Sequence, residues 1–232
     1  MRVLVFILLL CSVTELYAWP WRKKKQAPVL PPTPEKSDET GEIPDVVEPV
    51  FPGEDFPEIT IHDLPKPVRP ILGKGRIRAE LLRSFLLSVN SRADREFTAT
   101  LVNLYVAEAE AEGIDHDIAF AQMCLETGFL RFGGLVSPDM NNFCGLGSIG
   151  PGEPGERFSS VELGVRAHIQ HLKAYATEQP IVRELVDPRY RFVRRGSSPV
   201  LQGLAGTWAA DKDYADKIEA ILARLYRFTG ER

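Results

Sequence analysis

AQMCLETG, Ala121 to Gly128, sets one carboxylate, Glu126, at the end of a short apolar segment, and NNFCGLG, Asn141 to Gly147, follows soon after. Ile118, Ala121 and Leu125 recur at the three-and-four spacing of a buried stripe, which predicts a helix from about Asp117 to Thr127 with Glu126 bordering its apolar face. Gly128 ends that helix, because glycine reaches the left-handed backbone without steric cost. Glu126 then lies in the last turn beside unsatisfied carbonyls, at the negative end of the helix dipole. Partial burial and the dipole both disfavour the ionised carboxylate and predict a raised pKa, the state a general acid for glycosidic cleavage requires. On spacing alone, Glu126 is equally well a surface glutamate near a helix end.

Working outward, Ile77, Leu81, Leu82, Phe85 and Leu86 recur at helical spacing, and Phe97, Leu101, Leu104 and Tyr105 repeat the pattern. Ser159, three residues before Glu162, reads as a capping box opening a helix that turns Val161, Val165, Ile169 and Leu172 to the core. Asp211 or Asp213 caps a final helix carrying Tyr214, Ile218, Ile221 and Leu225 on one face. GLGSIGPGEPGER, Gly145 to Arg157, is too rich in glycine and proline for a helix and predicts a short hairpin or lobe. The expected fold class is mainly α with one small irregular or β lobe, over residues 71–232.

The N-terminal third reads differently. Met1 and Arg2 precede the apolar run Val3 to Leu10, and Leu16-Tyr17-Ala18 closes the segment on a small residue, the pattern of a secretory signal over residues 1–18. The run is too short to span a bilayer, so export without a stable membrane span is expected. Cys11 follows three leucines, whereas lipoprotein processing favours a small residue there, so a lipid anchor is the lesser alternative. Residues 19–70 hold twelve of the 18 prolines and no sustained period, which predicts a disordered linker. Within it the basic run Arg22 to Lys25 either touches an anionic surface or is simply solvated.

A chain of 232 residues, 44% hydrophobic and 26% charged, supports one sizeable core plus this appendage. The formal net charge of -4 argues against a dedicated nucleic-acid binder. No HExxH, GxSxG or phosphate-cradling motif occurs, which leaves metalloprotease, esterase and NTPase readings without support. His168 and His171, three apart on one helix, lack a matched carboxylate and do not make a metal site; no metal or cofactor is expected. Once a leader is removed after Ala18, Cys124 and Cys144 are the remaining cysteines, able to pair in an oxidising compartment or to stay buried as thiols.

Three blocks in order, AFAQMCLETGFLRFGG (Ala119 to Gly134), NNFCGLG (Asn141 to Gly147) and TWAADKDYADKI (Thr207 to Ile218), resemble the bacterial glucosaminidase family of peptidoglycan hydrolases over most of residues 71–232. The stretch Glu156 to Ala176 resembles the segment that follows the small lobe in that family. The resemblance implies a lysozyme-like helical fold with a groove for a peptidoglycan glycan strand, a catalytic acid at Glu126 and an active-site tyrosine at Tyr214. The spacing of Tyr214 with Ile218 equally suits a core aromatic. The lobe is shorter than in many relatives, where it presents a second carboxylate; here only Glu153 and Glu156 are available, and both read as exposed turn residues, with Glu156 beside Arg157. A substrate acetamido group can replace that carboxylate. Asn141, Asn142 and Phe143 either line the groove or cap a turn and fill the core, and Trp208 either offers a sugar platform or packs.

The function expected is an exported hydrolase of the β-1,4 linkage at N-acetylglucosamine. The alternatives are a muramidase or lytic transglycosylase on the same fold, or a non-catalytic glycan-binding module. Oligomeric state is not legible.

Overall fold

The computed structural model describes residues 68–231 apart from Pro151; the signal-like segment, Cys11, the basic run Arg22 to Lys25 and nearly all of the Pro-rich stretch lie outside the described residues. Five helices carry the fold: α1 (Ala79–Val89), α2 (Arg95–Glu112), α3 (His116–Glu126), α4 (Val161–Ala176) and α5 (Tyr214–Thr229). A two-stranded antiparallel hairpin, β1 (Ser148–Gly150) and β2 (Glu153–Pro154), forms the small lobe between α3 and α4. The domain is mainly α and lysozyme-like, as the spacing and the resemblance predicted.

Local signals account for the helix boundaries. The Asp94 carboxylate accepts from Phe97 N at 2.7 Å to start α2, and Gly113, with φ of 73°, ends it. Asp115 starts α3 by accepting from Asp117 N. Helix α4 is capped by Ser160, whose hydroxyl accepts from Leu163 N, and not by Ser159 as the capping-box spacing predicted. The displaced role of Glu162 is an ion pair with Arg166 one turn on. At α5 the cap position falls on Asp213 without a side-chain bond, while the Asp211 carboxylate accepts from Asp213 N at 2.9 Å and so closes the preceding turn.

α3 is the central element. The expected one-sided stripe of Ile118, Ala121 and Leu125 is corrected: every residue from His116 to Cys124 is buried, so neighbours enclose the helix on all sides. Phe85 and Leu86 of α1, Leu101 and Tyr105 of α2, Val165 and Ile169 of α4, and Ile218 and Leu222 of α5 build one core with it. The buried polar groups of α3 are paired, as the low dielectric around them demands. Asp117 accepts from Arg76 N and Ile77 N, and His116 Nε2 bonds the Ile77 carbonyl at 2.9 Å.

Helices α2 and α4 pack together across two ion pairs. Arg166 forks onto Glu108 at 3.0 and 3.1 Å, and Lys173 meets Glu112 at 2.7 Å with both side chains almost fully buried. Glu112 also accepts from Val182 N and Arg183 N. Burial alone would raise the Glu112 pKa, but Lys173 and these two N–H groups outweigh it and hold the carboxyl below its usual value. Gln170 of α4 likewise accepts from Val186 N and donates to the Glu184 carbonyl. Buried side chains of two helices thereby fix an irregular stretch, residues 182–187, that no periodicity in the sequence announces.

Cys124 and Cys144 are both buried free thiols, and burial pushes both well above the ordinary thiol pKa, which leaves them inert. Arg157 pairs with Asp139 at 2.7 Å and not with the adjacent Glu156, because consecutive residues in an extended segment point to opposite sides.

Candidate active site

After Thr127 the backbone makes an unusual left-handed run: Gly128, Phe129 and Leu130 have φ of 58°, 58° and 62°, and Phe132 has 48°. Such values strain a side-chain-bearing residue by about 1–3 kcal/mol each and persist only where the surroundings impose them. Here the Thr127 hydroxyl accepts from Leu130 N at 3.0 Å, and the Asn90 amide donates to the Phe129 carbonyl at 2.8 Å. The Phe129 ring meets Phe85 and the Arg224 guanidinium. Asn90→Ala is expected to lower stability by about 1–2 kcal/mol in urea unfolding, the cost of leaving that carbonyl without its partner.

This turn swings residues 132–136 away from α3 and opens a cavity of about 300 Å³ at the helix end. Glu126 lies on its wall with Phe132, Asn142, Gly145 and Trp208, and among the described residues no other carboxylate lines it. Glu126 is exposed as a residue and lines this hollow. Desolvation by those walls raises its pKa, against hydrogen bonds from Tyr214 and Trp208 that favour the charged form.

Tyr214 satisfies both readings at once. Its ring is buried in the core, and its hydroxyl donates to Glu126 Oε1 at 2.5 Å. Burial first, then the charge of Glu126, hold the phenol well above its ordinary pKa, so it stays a donor. Behind it runs a chain of bonds the sequence did not announce. Gln122 Nε2 donates to the Tyr214 oxygen at 2.9 Å, His168 Nε2 meets Gln122 Oε1 at 3.0 Å, and the Tyr105 hydroxyl meets His168 Nδ1 at 2.8 Å. Burial lowers His168 to about 3, so the ring is neutral and carries one proton. With that proton on Nε2, every donor in the chain points towards Glu126. The i, i+4 spacing of Gln122 and Glu126 was the one available signal, since it places both on the same side of α3.

NNFCGLG supplies the facing wall. A Cβ at Gly145, whose φ is 68°, would stand 3.7 Å from Glu126 Oε2, so backbone approaches the carboxylate closely there. Asn142 is buried and spends its side chain on the loop, donating to the carbonyls of Leu146 and Glu156 and accepting from Leu146 N. Asn141 donates to the Phe158 carbonyl at 3.0 Å. Phe143 is fully buried against Phe97, so of its two readings the structure gives the core one, and it is not a sugar-stacking ring. Trp208 does line the cavity, its ring wedged against His171, Tyr175 and His168. Glu153 is exposed on β2 and Glu156 lies against Gly147; neither is among the residues lining the cavity at Glu126. Both nitrogens of His168 are taken by Gln122 and Tyr105, and His171 Nδ1 is taken by Asp187.

Residues 102–227 match the family model described as Glucosaminidase, mannosyl-glycoprotein endo-beta-N-acetylglucosaminidase. An uncharacterized protein of Borreliella burgdorferi is 41% identical over 158 residues, 68% of this chain and 78% of that protein. The matched segment contains α3 from end to end, the left-handed turn, the lobe and Tyr214, the elements that build the cavity. The chain belongs to the glucosaminidase family, and its domain is that of a peptidoglycan glycosidase.

Proposed function

We propose that this chain is an exported peptidoglycan hydrolase that cuts the β-1,4 glycan linkage at N-acetylglucosamine, with Glu126 protonating the leaving oxygen. The observation that carries the reading is Glu126 itself, a carboxyl of raised pKa set on the wall of a sugar-sized hollow and held by Tyr214. Because Tyr214 occupies Oε1, the transferable proton sits on Oε2, the oxygen beside Gly145. Tyr214 is committed to Glu126 and Gln122, so it orients the acid. Trp208 provides an apolar edge for a sugar ring.

Among the described residues lining the cavity Glu126 is the sole carboxylate, which favours participation of the substrate acetamido group at the anomeric carbon over a second protein carboxylate. The protein then supplies acid, orientation and shape, and water opens the resulting intermediate. Export rests on the apolar N-terminal segment ending at Ala18. Among the described residues no helix is long and apolar enough to cross a membrane.

Mass spectrometry of fragments released from purified wall sacculi tests the reading. N-acetylglucosamine at the new reducing end is the expected product. Muramic acid at that end, an anhydro sugar, or binding without release would replace it by the muramidase, transglycosylase or binding-module alternative. Gln122→Leu removes the donor behind Tyr214 and is expected to lower kcat about tenfold, less than the roughly hundredfold minimum for losing a proton-transfer group itself, because Gln122 acts through Tyr214. The alkaline limb of the pH profile should move upward, because a less polarised phenol supports the carboxylate less; an unmoved limb would assign Gln122 to packing alone.

A further inference from the structure

A second hollow, of about 290 Å³, adjoins the one at Glu126 and shares Cys144, Gly145, Ser148 and Trp208 with it. The new part of its wall carries one guanidinium, that of Arg189. Arg189 lines it with its guanidinium 4.9 Å from the centre of the Phe192 ring, and Arg191 holds the same ring at 4.7 Å. Phe192 is 62% exposed, a large ring left in solvent by the fold. Among the described residues no carboxylate lines this hollow, and none pairs with Arg189 or Arg191. Two guanidiniums gathered on one ring without an anion is an arrangement that folding does not call for, in a chain whose formal net charge is -4.

The base of this shelf is rigid. Asp187, buried, accepts from His171 Nδ1 at 2.7 Å and from Arg189 N at 2.8 Å. Gln170 accepts from Val186 N and Asp187 N, and Glu112 from Val182 N and Arg183 N. Arg189 is thus carried on backbone pinned by three buried side chains, the preorganisation that a recognition site needs.

We infer that the Arg189 and Phe192 shelf is a binding site for a carboxylate of the stem peptide borne by the glycan, and that it makes the enzyme select peptide-bearing strands over bare ones. The inference rests on the glycan-hydrolase reading and deepens it. A sugar backbone whose acid groups are all in amide linkage offers an unpaired guanidinium no anion; a stem peptide attached near the cut bond does. Arginine's planar fork suits a carboxylate in two-point contact, and Phe192 offers the apolar peptide stem a flat surface.

The test titrates Glu126→Gln protein onto purified sacculi with free stem carboxylates and onto the same sacculi with those carboxylates converted to amides by carbodiimide and ammonia, reading bound protein by sedimentation. The wall with free stem carboxylates is expected to bind about tenfold more tightly, the worth of one partly exposed Arg–carboxylate contact. Adding Arg189→Ala should bring the ratio of the two affinities towards one, and Arg189→Lys should leave it in between, since an ammonium keeps the charge without the fork. A ratio unchanged by Arg189→Ala overturns the inference, as does an equal loss on both walls, which would make Arg189 a contact to the sugar or to the fold. Glu126→Gln protein that binds neither wall would instead refute the glycan reading underneath.

Discussion

Glu126→Gln is expected to lower turnover on wall sacculi by about a hundredfold to ten-thousandfold while leaving fold and glycan binding in place, the usual worth of a general acid. The substitution is conservative in shape: the glutamine carbonyl can still accept from Tyr214, and the amide replaces the oxygen beside Gly145. What disappears is the proton. The wild-type rate should fall as pH rises through the elevated pKa of Glu126, since the protonated form is the active one. Sacculi digested equally by both proteins would remove Glu126 from the chemistry.

The same substitution carries a stability signature of fixed sign. Glu126 has a folded pKa above its ordinary value of 4.5, so the folded state favours the protonated form. That contribution is fully present below the unfolded pKa and is lost as pH rises through the folded one. Glutamine does not titrate, so Glu126→Gln is expected to melt higher than wild type at neutral pH, with the gap closing under acid conditions. A melting difference independent of pH would show that Glu126 is not held in a desolvating environment.

Gly164→Ala is expected to be among the most destabilising single-methyl additions in the domain, by about 1–3 kcal/mol or more. Glycine inside a helix is ordinarily a cost, and alanine at such a place stabilises by about 1 kcal/mol. At Gly164, in the first turn of α4, the sign reverses. An added Cβ would stand 1.8 Å from the Asn141 carbonyl oxygen and 3.3 Å from the Phe143 ring. Asn141 is itself left-handed, with φ of 50°, and opens the NNFCGLG wall that faces Glu126. The helix cannot back away, because Arg166 and Lys173 tie it to α2. Urea unfolding should show the loss, and turnover should fall further than stability explains as the wall near Gly145 shifts. A more stable Gly164→Ala protein would mean that α4 does not press on this turn.

Helical spacing was enough to read α1, α2, α4 and α5, because each presents one apolar stripe to a shared core and the stripe has a period. The position of Glu126 in the last turn of α3 was legible for the same reason, whereas the cavity beside it was not, because a surface glutamate fitted the spacing equally well. α3 was found by the same spacing, as a helix from about Asp117 to Thr127, but its single apolar face was not right, since neighbours enclose the helix on every side and bury Gln122 with it. Tyr214 stayed ambiguous because a ring can pack while its hydroxyl reaches out, and only the placement of α5 against α3 shows that it does both. Phe143 and Asn142 fitted either the groove or the core and turn; Phe143 fills the core, while Asn142 braces the loop and also lines the cavity.

The stretch from Val182 to Phe192 was out of reach altogether. It has no period of its own, and its first half is held by Glu112, Gln170 and His171, residues 16 to 70 positions away from their partners along the chain, whose relevance appears once α2 and α4 are packed. Local patterning carries information about periodic elements and their caps, because those depend on neighbours within a turn. The cavity at Glu126, the donor chain behind it and the cationic shelf beside it arise from contacts between distant segments, and those are decided where helices meet.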